Sequence, residues 1–202
     1  MLYVCDGKHR PHCLHLSADA QLPHVQQLCL TASQFFSRSG TDIGWTDLRA
    51  LTALERFYRM SGVPFRIRRA FFDGDFCHAH GSGICFDLGC DLSETNRKLL
   101  RRRAIECGLF ASVCSEALCP DCVHVCCLRC GDLRLGDSGV FVFSLQRALQ
   151  RKRCFRGICS GVFCEQTRRA VIRMQQALGQ PTSGVADLCF QKALCGKSSR
   201  TI

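Results

Sequence analysis

The chain changes its pattern at residues 131–139, and this change limits the fold more than any other feature of the sequence. Two Gly-Asp pairs interrupt the apolar sequence there, which is typical of a loop between structural units. Before this loop, segments with helical periodicity alternate with short segments rich in β-forming residues, whereas only helix-length periodic segments follow it. We therefore predict one domain over residues 1–130 and a second over residues 131–202.

The first domain is predicted to be α+β, with a small antiparallel sheet and flanking helices. Its helical N-terminal part, residues 20–60, contains VQQLCLTASQFF and WTDLRALTALERFYRM, which have the periodicity of two helices separated by SRSGTDIG. Thr46 and Asp47 are suited to begin the second helix, and Gly62 with Pro64 to end it.

Three short segments predict the strands of the sheet: VPFRIRRAFF, ICFDLG and CVHVCCL. Between the last two, ETNRKLLRRRAIECGLF predicts a basic amphipathic helix that ends at Gly108. In the second domain, VFSLQRALQRK, EQTRRAVIRMQQAL and ADLCFQKAL predict three helices joined by glycine-bearing loops. Three short helices of this kind form a small bundle with a modest core.

The net charge favours a polyanionic partner, because 27 Lys and Arg face 17 Asp and Glu, which gives +10. Nucleic acid, anionic lipid and acidic cell-wall polymers all meet this description. No window approaches the ~18 uninterrupted apolar residues of a membrane span, so we predict no span. The start MLYVCDGKHRPHC lacks the basic-then-apolar order of a secretory signal. Delivery to the extracellular space would then use another route, such as release by lysis.

The chain has 18 cysteines with no repeated spacing, and we interpret most of them as small buried hydrophobes. Cys119-x2-Cys122 and Cys127-x2-Cys130 have ligand-type spacing for zinc or an iron–sulfur cluster. The gap between these pairs is shorter than the ~12 to 20 residues usual in zinc ribbons and fingers. A second group, at an irregular spacing that fits no standard finger, comprises Cys5, His9, His12, Cys13 and His15.

The stretch HAHGSGICFD, residues 78–87, and the later DCVH, residues 121–124, carry the residues best suited to chemistry. His80, Asp87 and His124 supply the three protein ligands of an open catalytic zinc site, which leaves the fourth position for water. Asp121 lies three residues before the last histidine, where it can act as the general base on that water. The alternative interpretation is that these are surface or hydrogen-bonded residues, because short motifs often match by chance.

The segment His80-x-x-Gly83-x-Cys85-x-Asp87, with Asp121-x-x-His124, resembles the zinc peptidases of the D-alanyl-D-alanine carboxypeptidase and L-alanyl-D-glutamate endopeptidase family. The family pattern is S-x-H-x-x-G-x-A-x-D followed by (D/E)-x-x-H. The resemblance implies Zn²⁺ held by the two histidines and Asp87, with Asp121 as the catalytic acid and base.

The same family usually has an arginine upstream of the first ligand, where it stabilises the developing oxyanion. This chain offers Arg66, Arg68 and Arg69. On an alternating strand Arg66 and Arg68 share one face and Arg69 takes the other, so at most one set faces the zinc. We assign the role to Arg68, and the alternative is a solvated basic strand.

The chain departs from the family pattern around the ligands. His78 replaces the usual Ser, Cys85 the usual Ala and Cys122 an aromatic residue, while Cys126 stands where many members have an acid that supports the site. The C-terminal segment independently resembles a three-helix peptidoglycan-binding domain, through Asp137-Ser138-Gly139, Leu145-Gln146-x-x-Leu149, Gly161-x-Phe163 and Thr167-x-x-Ala170-Val171-x-x-x-Gln175.

Both resemblances imply the same partner, bacterial peptidoglycan. The leading hypothesis is a zinc-dependent peptidase of the D,D-carboxypeptidase or L,D-endopeptidase type, tethered to the wall by its C-terminal domain. One alternative is a non-catalytic peptidoglycan-binding protein with a degenerate or structural zinc site. Another is a nucleic-acid-binding metal protein that uses the cysteine cluster and the Arg97 to Arg103 helix; no nucleic-acid-binding module occurs in the sequence, so we expect no nucleic-acid partner.

Overall fold

The computed structural model describes residues 1–7, 11–36, 43–72 and 79–195. Within these ranges the chain is a mixed α+β protein with two small sheets and six α-helices. The α+β class agrees with the prediction. Two clusters of buried apolar side chains organise the structure, a larger one around both sheets and a smaller one in the C-terminal part.

The first sheet has the strand order β2-β1-β3, with strands β1 (Leu2–Cys5), β2 (His12–Leu14) and β3 (Gly44–Asp47). Strand β1 pairs antiparallel with β2 and parallel with β3. This sheet was not predicted, because its strands have only three or four residues and β3 lies inside a segment with helical apolar spacing. Trp45 and Thr46, the first residues of WTDLRALTALERFYRM, therefore belong to β3, and the helix begins after Asp47.

Helix α2 (Leu48–Ser61) follows β3 directly. The Asp47 carboxylate accepts a hydrogen bond from the backbone N–H of Arg49, and Gly62 ends the helix with a left-handed φ of 58°. The predicted end signals are therefore confirmed at both positions. The buried side chains of Leu51, Leu54 and Phe57 recur at helical spacing and pack into the larger core.

Helix α1 covers only Ala32–Phe36, so the longer helix predicted from VQQLCLTASQFF is wrong over most of its length. The backbone takes positive φ values of 64° at His24 and 54° at Cys29, which a continuous right-handed helix does not allow. The Glu55 carboxylate of α2 instead accepts hydrogen bonds from the backbone N–H groups of Gln27 and Leu28. Tertiary contacts therefore replace the helical hydrogen bonds that the apolar pattern suggested.

The second sheet is antiparallel, as predicted, with the strand order β4-β5-β7-β6. Its strands are β4 (Ile67–Arg69), β5 (Cys85–Leu88), β6 (Ser112–Val113) and β7 (Val123–Cys126). Strand β4 is shorter than the predicted segment, and its register with β5 shifts between Ile67 and Arg69. Strand β6 has two residues, too few for a periodic signal.

Helix α3 (Glu94–Glu106) connects β5 to β6 and confirms the predicted basic helix. The Arg101 guanidinium is buried and donates to backbone carbonyls of the segment before β7, and the Arg103 guanidinium donates to the carbonyl of Ser61. These two arginines hold the fold together, which weakens the reading of residues 97–103 as a face for nucleic acid.

The C-terminal part contains α4 (Val140–Arg151), α5 (Glu165–Ala177) and α6 (Leu188–Cys195), close to the three predicted helices. Each helix carries one buried glutamine, and each glutamine amide bonds to loop backbone. Gln146 bonds to Gly161 and Val162, Gln175 to Gly184 and Val185, and Gln191 to Gly131 and Ala186. These hydrogen bonds stabilise the C-terminal part, because a buried amide or backbone group without a partner would cost free energy of desolvation.

Helix α4 contacts both cores. Val142 and Leu145 belong to the C-terminal core, whereas Val140 and Phe143 belong to the larger one. The Trp45 indole N–H donates to the Ser144 hydroxyl across 2.7 Å, and this bond is buried. The domain division at residues 130 and 131 stays a prediction, since the helix that follows this point packs on both sides.

Gly83 joins the segment of the first predicted ligand to β5, and it has no room for a side chain. Its φ is +63°, and a Cβ atom there would lie 1.8 Å from the carbonyl oxygen of Trp45. We predict that Gly83→Ala lowers the free energy of unfolding by at least about 3 kcal/mol, because the clash is with backbone and adds to the left-handed strain.

Gly108→Ala is the matched control for this prediction. Gly108 has a similar φ of +66°, but a Cβ there meets nothing within 4 Å. This variant should lose only about 1 to 2 kcal/mol from backbone strain. Urea unfolding of both variants measures the difference, and equal losses would show that the close approach to Trp45 is unimportant.

Candidate metal centre

The structure brings His80, Asp87 and His124 together, although they come from three separate elements. His80 lies in a short 3₁₀ helix (Ala79–Ser82), Asp87 in β5 and His124 in β7. The Asp87 Oδ1 atom lies 3.2 Å from His80 Nε2 and 2.8 Å from His124 Nδ1. One ligand atom from each residue lies within 4.8 Å of the other two. His80 and Asp87 are buried and His124 is partly buried.

Strand register explains how two of these residues meet. Asp87 and His124 are direct cross-strand partners in the antiparallel pair of β5 and β7, so their side chains leave the same face of the sheet. Cys85 and Cys126 are paired two residues further along and therefore share that face. The Gly83 turn then places His80 beside this face.

The charge of Asp87 is set by its two histidine neighbours. Burial raises the pKa of this carboxyl, but the hydrogen bonds with His124 and His80 outweigh burial and hold the pKa well below its usual range. The group is therefore an ionised carboxylate between two imidazole nitrogens. Two nitrogens and one carboxylate oxygen are the donor set of a three-ligand zinc site.

One atom of this set lacks the usual support. His80 Nδ1 is buried and has no hydrogen-bond partner among the described residues. A metal-ligating histidine usually donates its second N–H to a carboxylate, a carbonyl or water. The donors fit Zn²⁺, and the arrangement departs from the usual pattern at this nitrogen.

The two residues predicted to be catalytic, Asp121 and Arg68, line a cleft of about 550 Å³ together with the three candidate ligands. Asp121 lies in the turn before β7 and is exposed. Arg68 is also exposed. Their placement in the cleft is a structural fact, and their roles stay predictions.

Arg69 was placed by strand alternation on the face away from Arg68, yet it lines the same cleft. Its Nη1 atom lies 3.8 Å from Asp87 Oδ2. The register with β5 shifts between Ile67 and Arg69, and this irregularity interrupts the alternation of side chains. Arg66 is highly exposed and faces Asp91 across 4.0 Å. The prediction from strand alternation was therefore wrong about Arg69, which lies in the cleft together with Arg68.

The segment between β6 and β7 is held in place by the buried Arg101 guanidinium. It donates to the carbonyl oxygens of Cys114, Cys119 and Cys122 across 3.1, 2.5 and 2.6 Å. These three residues line the cleft, as does Cys90. Sequence spacing gave no signal for Arg101, because its partners are backbone atoms of a loop.

The structure does not bring the two CxxC pairs together as a four-cysteine metal site. Within the described residues, the groups that could hold a metal do not include Cys119, Cys122, Cys127 and Cys130 together. Cys127 is buried next to the Ala50 carbonyl, and the Cys130 thiol donates to the Gln191 side chain. Strand β7 lies between Cys122 and Cys127, so the two CxxC pairs lie at opposite ends of this strand.

The group near the N-terminus forms no such site among its described members either. Cys5 is buried in β1, and burial raises the pKa of its thiol to about 12. His12 and Cys13 lie exposed in β2, while His9 and also His78 lie outside the described residues.

Most described cysteines are not the buried hydrophobes that we expected. Cys85 and Cys126 form a disulfide. Of the free cysteines, Cys5 and Cys127 are buried, and the others are partly buried or exposed. Many of the free cysteines lie in short loops and at strand ends, where side chains are more exposed than we expected from the sequence. This disulfide joins two positions at which the chain departs from the peptidase pattern: Cys85 replaces the usual Ala, and Cys126 replaces the usual acid.

Residues 138–194 match the family described as "Putative peptidoglycan binding domain". The chain is also similar to the crystal structure of the SleB N-terminal domain, at 30% identity over 31% of this chain and 86% of that chain, with a TM-score of 0.31. Comparison with the curated proteins gave no match. The family match supports a peptidoglycan-associated protein with peptidoglycan as its partner, and the zinc peptidase family is not confirmed. None of the described helices is long and apolar enough to cross a bilayer.

Cys90 is predicted to be the most reactive thiol of the cleft. A hydrogen bond from the Cys122 thiol lowers its pKa, burial opposes this, and Arg68 lowers it further, to about 7. Arg68→Ala should therefore raise the pKa of Cys90 and slow its alkylation by iodoacetamide at neutral pH. The measurement is the alkylation rate of the Cys90 peptide as a function of pH, by mass spectrometry.

Two controls accompany this measurement. Arg66→Ala removes a neighbouring exposed arginine and should leave the Cys90 rate unchanged. Burial and the Cys114 thiol raise the pKa of Cys119 to about 11, so Cys119 should react slowly in every variant. Equal rates for Cys90 in wild type and Arg68→Ala would contradict the assignment.

Proposed function

We propose that the protein is a zinc-dependent peptidase that hydrolyses an amide bond in the peptide stem of bacterial peptidoglycan, as a D,D-carboxypeptidase or L,D-endopeptidase. The observation that carries the proposal is the convergence of His80, Asp87 and His124 in one cleft with Asp121. The C-terminal part, which contains the peptidoglycan-binding match, would hold the enzyme at the cell wall.

His80, Asp87 and His124 would hold the metal. A zinc ion held by these residues would supply Lewis-acid chemistry for the scissile carbonyl and for activation of the attacking water. Asp121 accepts the proton of the attacking water and then donates it to the leaving amine. Arg68 stabilises the negative charge that develops on the carbonyl oxygen.

The cleft suits a short peptide that carries carboxylates. Its volume of about 550 Å³ falls within the ~300 to 1,000 Å³ of small-molecule sites. Arg68 and Arg69 contribute two guanidinium groups to its lining. Peptide stems end in or carry carboxylates, which guanidinium groups bind with good geometry.

The alternative is a non-catalytic peptidoglycan-binding protein whose zinc site is structural or degenerate. The exposure of Asp121 favours it, because a general base acts best when neighbouring groups fix its position. The buried His80 Nδ1 points the same way, because it has no hydrogen-bond partner among the described residues, whereas a metal-ligating histidine usually donates its second N–H.

The main test separates metal binding from catalysis. His80→Ala should lose the bound zinc, because it removes one of three ligands. Asp121→Asn should keep one zinc per chain and lose cleavage of purified peptidoglycan by at least about 100-fold, because the general base is gone. Zinc is measured by atomic absorption, and the cleavage products are identified by mass spectrometry of defined muropeptides.

Asp132→Asn is the control for this test. It makes the same chemical change at a residue that pairs with Arg134 outside the cleft, and it should keep both zinc and cleavage. Zinc binding by the wild type without cleavage of any muropeptide would favour the non-catalytic alternative. Full zinc content in His80→Ala would overturn the site itself.

Wall binding is assigned to a basic cleft in the C-terminal part. Arg153, Arg156, Arg169 and Arg173 line a cleft of about 640 Å³ around the end of α4 and the start of α5. Arg169 lies 3.6 Å from Glu165, and Arg173 donates to the carbonyl of Cys154. Arg153 and Arg156 are exposed at its edge, where they can meet carboxylates of the wall polymer.

The double variant Arg153→Glu, Arg156→Glu should bind purified peptidoglycan roughly tenfold more weakly. This corresponds to a loss of binding free energy of about 0.7 kcal/mol for each arginine replaced. The loss should shrink at high salt, because screening weakens contacts between exposed charges. Co-sedimentation with purified peptidoglycan measures it.

Arg56→Glu, Arg59→Glu gives the same change in net charge on α2, where both arginines line a separate shallow cleft. This control should bind the wall like the wild type. Equal weakening in both double variants would show that the overall charge acts, and that the C-terminal cleft has no special role.

A further inference from the structure

The Cys85–Cys126 disulfide lies directly beside the candidate zinc site. The cross-strand pair Cys85 and Cys126 is followed, two residues along, by the cross-strand pair Asp87 and His124 on the same face of the sheet. The disulfide is therefore the immediate neighbour of two of the three candidate zinc ligands.

His124 stands between two sets of donors. Its Nδ1 atom faces Asp87 Oδ1 at 2.8 Å, and its Nε2 atom lies 3.5 Å from Cys126 Sγ. The donor atoms of Cys85, Cys126 and His124 all lie within 4.8 Å of one another, just as those of the first set do. In the disulfide form, the two sulfurs bond to each other instead of to a metal.

We propose that reduction of the Cys85–Cys126 disulfide creates a second metal site, in which the two thiolates and His124 Nε2 bind a thiophilic divalent cation. Two thiolates and one imidazole are a soft donor set that suits Zn²⁺ and Cd²⁺. Two further cleft residues lie close to this set through Asp87: Arg69 of β4 and His80 of the 3₁₀ helix, which both contact the Asp87 carboxylate.

The two sites compete for His124. A neutral imidazole has one nitrogen that carries a proton and one that offers a lone pair. When Nε2 binds the cation beside the thiolates, Nδ1 carries the proton and donates to Asp87. The first site then keeps only His80 and Asp87. The second site does not need hydrolytic activity, but the competition rests on the proposed zinc site.

A phosphine can reduce the Cys85–Cys126 disulfide. The S–S bond breaks, the phosphorus atom gives up two electrons and takes the oxygen of one water molecule, and the two protons of that water convert the sulfurs to thiols. When the cation binds, both thiols release their protons to solvent and the sulfurs donate to the metal.

Other thiols of the cleft are less suited to this role. Cys114 and Cys119 lie 3.1 Å apart, and Cys122 contacts Cys90, but within the described residues these thiols do not form a group of three donors. The Cys85, Cys126 and His124 set is the thiol-containing group of three in that part of the chain.

The test uses the full-length protein and Cd²⁺ as the probe, before and after reduction by a phosphine that is then removed without air. Reduction should add the ultraviolet absorption of two cadmium thiolates per chain, while the total Cd²⁺ bound at the two sites stays the same. Free thiols elsewhere contribute equally to both samples, so the difference reports the disulfide of the described chain.

Matched variants assign the signal. Cys85→Ala with Cys126→Ala should lose the gain in absorption, and so should His124→Ala, whereas His80→Ala should keep it. Cys154→Ala with Cys164→Ala removes two thiols of the C-terminal part and should also keep it. Circular dichroism before and after reduction checks that the fold persists.

The outcomes separate this proposal from the proposed function. No gain on reduction, or a gain that survives in the Cys85 and Cys126 double variant, overturns the second site. A rise of one whole equivalent of Cd²⁺ overturns the sharing of His124. Failure of the first site shows instead in the disulfide form, as the same Cd²⁺ content in wild type and His80→Ala.

Discussion

The contact of the Asp87 carboxylate with two imidazoles is the interaction on which the candidate site depends. It requires a carboxylate that stays charged although it is buried, and the two histidines provide this by lowering its pKa. It also requires one particular register between β5 and β7, because a shift by one residue would turn the Asp87 or the His124 side chain to the opposite face. The apolar partners Phe86 and Val125, which are buried on that opposite face, keep this register in place.

Much of the architecture could be predicted where the pattern extends over many residues. Helices α2 to α6 follow the apolar periodicity, and the ends of α2 follow from Asp47 and Gly62. The first sheet could not be predicted, because its strands are too short for a period of two to be visible. The loop before α1 could not be predicted either, since the Glu55 carboxylate that organises it comes from another helix.

The site shows the same division. His80, Asp87 and His124 could be named from the sequence because their segments resemble the zinc peptidase pattern, and the structure places these residues together. The position of Arg69 in the cleft and the role of Arg101 could not be found this way. Arg69 reaches the cleft where the register of β4 with β5 shifts, and Arg101 binds backbone carbonyls, so neither contact leaves a spacing signal. The pairing of the cysteines could not be predicted, because the alignment of neighbouring strands, and not spacing along the chain, decides which sulfurs meet.

The packing of α4 connects the two parts of the chain to each other and to the site. Ser144 of α4 accepts a hydrogen bond from the Trp45 indole, and the carbonyl of Trp45 lies against the Cα of Gly83. The Thr46 hydroxyl donates to the Gly83 carbonyl, and the Gly83 N–H donates to the carbonyl of His80. The turn that places the first candidate ligand is therefore supported by a helix of the C-terminal part. Because these contacts are buried and tightly packed, a partner bound by the C-terminal part would be held in a defined position relative to the cleft, and not on a loose tether.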